Sequence, residues 1–225
     1  MKITAVIPVR KGSERVPNKS LRKFSQTNLL ELKINELLKV KLVNDIIVNT
    51  DSEEAIEIAK KMHVGYHVRE SYFASAKCSN SEFFYHLGET TNTEIFAYCP
   101  VTSPFISPKT ITHCINQFLK STNDSLATVS PIKEFLWLNN KPINYKLDEQ
   151  PNSQKLPPIM ALNFGLNLIR KDDLLKFKNI VGINPMFVEL DEIEGIDIDT
   201  PLDFFISEQI YLQTKVNKLP LLRLK

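Results

Sequence analysis

With 225 residues, 43% hydrophobic and 24% charged, the chain is long enough for one large domain with a sizeable core, and too apolar to be disordered. A net charge of +2 excludes a global field for nucleic acid or an anionic membrane, so any work for basic residues is local. Cys78, Cys99 and Cys114 lie far apart with no CxxC pair and no Cys/His cluster, which argues against zinc and for buried thiols in a reducing compartment.

The opening run Ile3 to Val9 is short, apolar and β-branched, and reads as a buried strand. It is too short for a secretion signal, and no window approaches 18 apolar residues, so a cytoplasmic protein that spans no membrane is expected. Leu29, Leu30, Leu32, Ile34, Leu37 and Leu38 fall largely on one helical stripe. Asp45 to Thr50 predicts a second buried strand, with a helix starting at Asp51-Ser52-Glu53-Glu54, whose carboxylates suit a first turn. Val64 to Val68 is a third strand, Ser81 to Leu87 lies in a helix, Glu94 to Cys99 is a fourth strand, and Pro108 to Leu119 is a helix. Strands alternating with helices in this way indicate an α/β fold with a mainly parallel sheet. Ligands of such sheets sit beyond the carboxyl ends of the strands, so the loops after Val9, Thr50, Val68 and Cys99 should converge on one crevice.

From Pro131 to Pro158, prolines, asparagines and lysines surround an aromatic stretch, Phe135-Leu136-Trp137. This segment reads as an excursion from the sheet that packs on a second subunit. The core pattern resumes at Ile159 to Ile169, Phe187 to Leu190 and Ile196 to Asp199, and a helix from Pro201 to Leu212 follows. The expected organisation is a single domain over 1–225 with an arm at about 131–158.

Two constellations carry chemistry. Arg10, Lys11, Arg15, Lys19, Arg22 and Lys23 put six cations within fourteen residues on the loop after the first strand, where Gly12 and Ser13 let backbone amides approach a ligand. Such a loop suits polyphosphate, with Arg gripping oxygens as a fork and Lys acting as a point charge. Neither GxxxxGK[ST] nor GxGxxG is present, which excludes the standard ATPase and dinucleotide fingerprints. The second constellation is Ile196-Asp197-Ile198-Asp199. Read as a strand, it projects both carboxylates from one face, and clustered carboxylates need a cation between them, most economically Mg²⁺. Asp199, before Thr200-Pro201, also fits a helix cap.

The residues Val6-Ile7-Pro8-Val9-Arg10-Lys11-Gly12-Ser13 through Pro17-Asn18-Lys19 resemble the signature loop of the CMP-sialic acid and CMP-KDO synthetase family of cytidylyltransferases. Later segments agree in order: Asn49 to Glu54, Thr102-Ser103-Pro104, Leu156-Pro157, and Ile196 to Phe204. The resemblance implies CTP as donor, Mg²⁺ as cofactor, a Rossmann-like nucleotidyltransferase fold, a small anionic acceptor such as a nonulosonic acid, and a homodimer joined by the arm. By position it implies that Arg10 and Lys19 hold the triphosphate, with Lys19, Arg10 and Asp197 as the catalytic residues. Gly12, Ser13 and Arg15 would assist them. It further implies that Arg69 and Ser79 face the cytosine, that Gln154 and Asn163 meet the acceptor, and that Asp197 and Asp199 hold the metal. The chain departs from the family pattern at Cys99, Ser20, Ala76, Ser153 and Phe164. These changes direct the expectation away from sialic acid itself, to another nonulosonic acid, a phosphonate or a phosphorylated small molecule. A non-catalytic binding protein on the same fold is the competing class.

Overall fold

A computed structural model of the chain describes residues 1–218; residues 219–225 of the expected single domain lie outside the described residues. The sheet is built from β1 (Ile3–Val9), β2 (Asp45–Thr50), β3 (Gly65–Val68), β4 (Ile95–Tyr98), β5 (Ser125–Ile132), β8 (Ile159–Arg170) and β9 (Pro185–Glu189), in the spatial order β3-β2-β1-β4-β8-β5-β9. β8 is antiparallel to both of its neighbours, and every other pairing is parallel. The expected mainly parallel α/β sheet is what forms.

Helices cover both faces, as parallel strands require. Ile3, Ala5, Ile7 and Val9 point to one side and pack in a cluster with α1 (Leu29–Leu37), α2 (Glu53–Lys61) and α5 (Pro108–Lys120). Val6 and Phe96 point to the other and meet Leu87 of α4 (Asn80–Thr90) and Leu174 of α6 (Lys171–Phe177). Between β3 and α4 lies the single turn α3 (Ser71–Ala74), and α7 (Pro201–Tyr211) follows β9. Among the described residues no helix is long and apolar enough to cross a membrane.

The excursion is a real departure from the sheet. After β5 the chain forms a small hairpin, β6 (Trp137–Leu138) and β7 (Lys141–Pro142), then a 3₁₀ turn at Ser153–Lys155 before β8. Asn139 and Asn140 at the hairpin tip have φ of 50° and 59°, the positive pair that a two-residue turn of this hand needs and that Asn tolerates. Asn144 holds the base by donating to the Glu134 carbonyl and accepting from the Leu136 amide. Trp137, Leu138, Ile143 and Leu147 remain exposed along it.

Two sequence expectations are corrected. Ile196 to Asp199 joins no strand; it is an extended passage between β9 and α7, fixed by the Ile198 amide donating to the Thr102 carbonyl at 2.8 Å. The alternation arises because Ile198 is a wholly buried plug, not because a sheet repeats it. The cap of α7 is likewise Thr200 rather than Asp199: its hydroxyl accepts from the Asp203 amide, and the Asp203 carboxylate returns to the Thr200 and Asp199 amides.

Candidate active site

The basic loop is anchored at both ends. Lys11 donates its amide to Asp51 Oδ1 at 2.7 Å, so the loop after β2 supports it from behind, and Val16 is buried in the core. Gly12 at φ 78° and Asn18 at φ 52° make the left-handed turns that fold the loop back on itself. Downstream, Phe24 is fully buried and meets the rings of Phe204 and Tyr211 at 5.3 and 5.4 Å. Arg22 lies 4.9 Å over Phe204, and the Ser25 amide donates to Glu208 at 2.6 Å. Aromatic packing therefore fastens the N-terminal loop to α7, the element that follows the carboxylates.

The consequence is direct contact between the two constellations. Arg15 Nη2 lies 2.8 Å from Asp199 Oδ1, and Lys19 Nζ lies 3.9 Å from the same oxygen while donating to the Ile198 carbonyl. Burial pushes the Lys19 ammonium below its ordinary range, while Asp199 and Asp197 pull it back up. Burial likewise raises the Asp197 carboxyl; the Thr102 hydroxyl opposes that rise and the Asp199 charge adds to it. Asp197 Oδ1 is buried with no hydrogen-bond partner, an arrangement that buried polar atoms rarely keep without a ligand or ion to satisfy them.

Arg10, Ser13, Arg15, Lys19, Arg69, Asp197 and Asp199 line one open cavity of about 760 Å³ at the carboxyl ends of the strands. The loops after β1, β3 and β4 converge there as expected, and the loop after β2 acts only through Asp51. Leu162 and Phe164 of β8 and Asn179 to Val181 beyond α6 close the side that the strand-end rule did not foresee.

The other expected site residues are placed differently. Gly12 shapes the loop but does not line the cavity. Ser79 is the N-cap of α4, its hydroxyl and amide both engaged with Glu82. Gln154 is exposed on the arm's 3₁₀ turn. Asn163 is buried, with its amide committed: Oδ1 accepts from Thr128 and the Gly165 amide, and Nδ2 donates to Ser130. Ser79, Gln154 and Asn163 are all absent from the cavity wall.

Arg69 is buried at the cavity, its guanidinium 4.5 Å over Phe83, donating through Nε to Asn49 Oδ1 at 2.6 Å and through Nη2 to the Asn49 carbonyl at 2.8 Å. Burial lowers it to about 10. Asn49 also meets His67 Nδ1 at 3.0 Å, so a polar network behind the cavity aims Arg69. Sequence reasoning missed Asn49 in that role. It also missed Lys33, a fully buried lysine of α1 that donates to the Ser103 carbonyl at 2.6 Å. Cys99 is buried, and burial pushes its thiol up to about 12, so it is no nucleophile.

Chemically, a half-buried ammonium and several guanidinia opposite paired carboxylates suit a multiply charged anion. Two carboxylates are also the protein share of a Mg²⁺ shell that phosphate oxygens complete. Among the described residues, no group of three or more His, Cys, Asp or Glu gathers into an all-protein metal site.

Comparison with known proteins agrees with this geometry. The chain is 26% identical over 223 residues to the post-translational flagellin modification protein B of Campylobacter coli, covering 92% of this chain and 93% of that one. It is 27% identical over 229 residues to the CMP-N,N'-diacetyllegionaminic acid synthase of Legionella pneumophila, covering 93% and 96%. Its fold matches the structure of a CMP:2-keto-3-deoxy-manno-octonic acid synthetase complexed with CTP, with a TM-score of 0.74 at 16% identity, over 95% of this chain and 99% of that one. Residues 4–155, which run from β1 through the cation loop to the arm, match the family profile described as cytidylyltransferase; the chain belongs to the cytidylyltransferase family.

Proposed function

We propose that the chain transfers CMP from CTP to an acidic sugar of the nonulosonic type and releases pyrophosphate, as a cytoplasmic homodimer joined through its arm. The observation that carries this reading is the meeting of Lys19 and Arg15 with Asp199, beside the unsatisfied Asp197 oxygen, in one cavity. The names of the relatives support an acidic sugar as the acceptor, and the exposed apolar residues of the arm support the dimer.

Arg10 and Lys19 grip the triphosphate, with Ser13 and Arg15 at its edge, and Arg69 fixes the base end. Asp197 and Asp199 are the residues that would hold Mg²⁺, which would supply charge neutralisation for the phosphates. An acceptor oxygen forms its bond to the α-phosphorus as the bond to the β-phosphate oxygen breaks, its proton passing to solvent. Lys19 stabilises the charge that develops on departing pyrophosphate. Such chemistry needs positioning and electrostatics more than a covalent nucleophile, which fits a cavity that the described residues line with cations and carboxylates.

The test is pyrophosphate release from each of the four NTPs with a panel of N-acylated nonulosonic acids, KDO, phosphonates and phosphorylated polyols. Release with CTP and an acidic sugar is expected, and light scattering should give a dimer. Release with none of the pairs would leave the non-catalytic class standing.

A further inference from the structure

Asn49 of β2 and His67 of β3 stand directly opposite each other in the parallel ladder. Val48 belongs to the core cluster on the α1 side of the sheet, so the next residue, Asn49, points to the other face, where α4 packs. There Asn49 is 1% exposed, with Arg69 on one edge of its carboxamide and His67 on the other.

The polarity of this chain of bonds has one solution. A guanidinium only donates, so the atom that Arg69 Nε meets at 2.6 Å is Asn49 Oδ1. The Asn49 Nδ2 group, a donor only, is then turned to His67 Nδ1 at 3.0 Å. His67 must therefore accept at Nδ1, which makes the imidazole neutral with its hydrogen on Nε2. A hydrogen on Nδ1 would set two donors against each other. Turning the amide over to relieve them would set Nδ2 against the Arg69 Nε–H instead. Either arrangement leaves a buried polar group unpaired, which is the costly outcome.

Arg69 depends on this choice. Its Nε and Nη2 are taken by the Asn49 side chain and carbonyl, and Phe83 lies under its face at 4.5 Å. Nη1 makes no hydrogen bond among the described residues, so its two N–H groups are left for a ligand in the cavity that Arg69 lines. The His67 ring is held in turn. It stands edge-on to His86 of α4 at 5.6 Å, and His86 stacks at 3.7 Å on Phe73, a residue of the cavity wall.

We infer that His67 is a positioning residue for the nucleotide: its Nδ1 fixes the orientation of the Asn49 amide, and the amide fixes the Arg69 guanidinium at the cavity. This rests on the functional reading above, in which Arg69 holds CTP, and adds to it a residue outside the cavity wall. Without the Nδ1 acceptor the amide is free to turn and Arg69 loses the partner of its Nε. The binding-competent orientation is then populated for only part of the time, and nucleotide affinity falls by that fraction.

The experiment is isothermal titration with CTP, in the presence of Mg²⁺ and without acceptor, on the parent, His67→Phe, His67→Asn, Asn49→Ala and the double variant His67→Phe/Asn49→Ala. Phenylalanine keeps a ring against His86 but offers no acceptor, whereas asparagine places a side-chain oxygen at the same distance from the backbone as Nδ1. His67→Phe should weaken CTP binding by about tenfold, and His67→Asn should recover most of that loss. Asn49→Ala should weaken it by about tenfold or more, and adding His67→Phe to it should change the constant by less than about twofold, since the ring acts only through the amide. A role in stability alone would produce neither the recovery nor the missing second loss. In the parent, long-range proton–nitrogen correlation spectra at pH 8 should show His67 as the Nε2–H tautomer. If His67→Phe does not fold by circular dichroism, His67→Leu is read in its place; if Asn49→Ala does not, the contrast between His67→Phe and His67→Asn decides. Parental affinity in His67→Phe, equal losses in His67→Phe and His67→Asn, losses that multiply in the double variant, or an Nδ1–H tautomer would each overturn the His67 assignment alone. A parent that binds no CTP overturns the functional reading and this inference with it.

Discussion

Replacing Lys33 with Met should remove a pH dependence of stability that the structure makes specific. Lys33 is 2% exposed, and burial lowers its ammonium from 10.5 to about 8, with Cys99, Glu36 and Asp197 only partly compensating. In the unfolded chain the group returns to 10.5, so the folded value lies below the unfolded one. Below pH 8 both states are protonated and the full penalty of burying the charge is present. Between about pH 8 and 10.5 the unfolded chain holds a proton that the folded chain has released, so stability rises with pH across that window. At about 1.4 kcal/mol per pH unit the rise amounts to about 3 kcal/mol. Lys33→Met has no such group. At pH 7 it sheds the charge penalty but leaves the Ser103 carbonyl without its donor, a loss of about 1–3 kcal/mol, so the two variants should be close. By pH 10 the parent should have gained about 2 kcal/mol or more on the variant. Urea unfolding of both proteins at pH 7.5 and pH 10 measures the difference. A stability gap between them that is the same at both pH values would refute the burial argument.

Three further outcomes follow from the site. Lys19→Ala should lower kcat/KM by about 10²–10³ with the circular dichroism spectrum unchanged, and an unaltered rate would remove Lys19 from the reaction. In Asp197→Asn, half-maximal activity should need a higher Mg²⁺ concentration, by about tenfold; a parental metal titration curve would count against Asp197 as a ligand. Ser79→Ala should lose about 1 kcal/mol of stability through the α4 cap while the KM for CTP stays put. A raised KM without loss of stability would return Ser79 to the base.

The strands were legible because parallel strands buried on both faces read as continuous apolar runs, and β1, β2 and β4 lie where such runs predict them. The basic loop was legible because it follows the first of them. Asp197 and Asp199 were found for a partly mistaken reason: the alternation looked like a strand, whereas it records one buried plug, Ile198. The α7 cap carried an overlooked signal, since Thr200 and Asp203 have the spacing of a capping box. Lys33 carried one as well. It lies four residues from both Leu29 and Leu37, on the buried stripe of α1, where a polar side chain must find an internal partner. Phe164 stood out in the sequence only as a departure from the family pattern; its left-handed φ of 52° was not legible, because Thr128, Ser103 and Leu190, which hold that stretch, are distant in sequence. Long-range clamps of that kind leave no periodicity to read.

The same dependence on distant segments explains why the cavity exists only in the folded chain. Lys19 and Asp199 are far apart in sequence, and an exposed ion pair such as Arg15–Asp199 is worth too little to bring the ends together, about 0–1 kcal/mol. The stronger candidate for that task is the packing of Phe24 against Phe204 and Tyr211, since burying one such ring is worth about 2–3 kcal/mol. The apolar contact lies outside the cavity, and it sets the distance at which Lys19 and Asp199 stand. Cations and carboxylates in the cavity are then free to exchange each other for a charged ligand without loosening the fold, because the fold does not depend on their attraction.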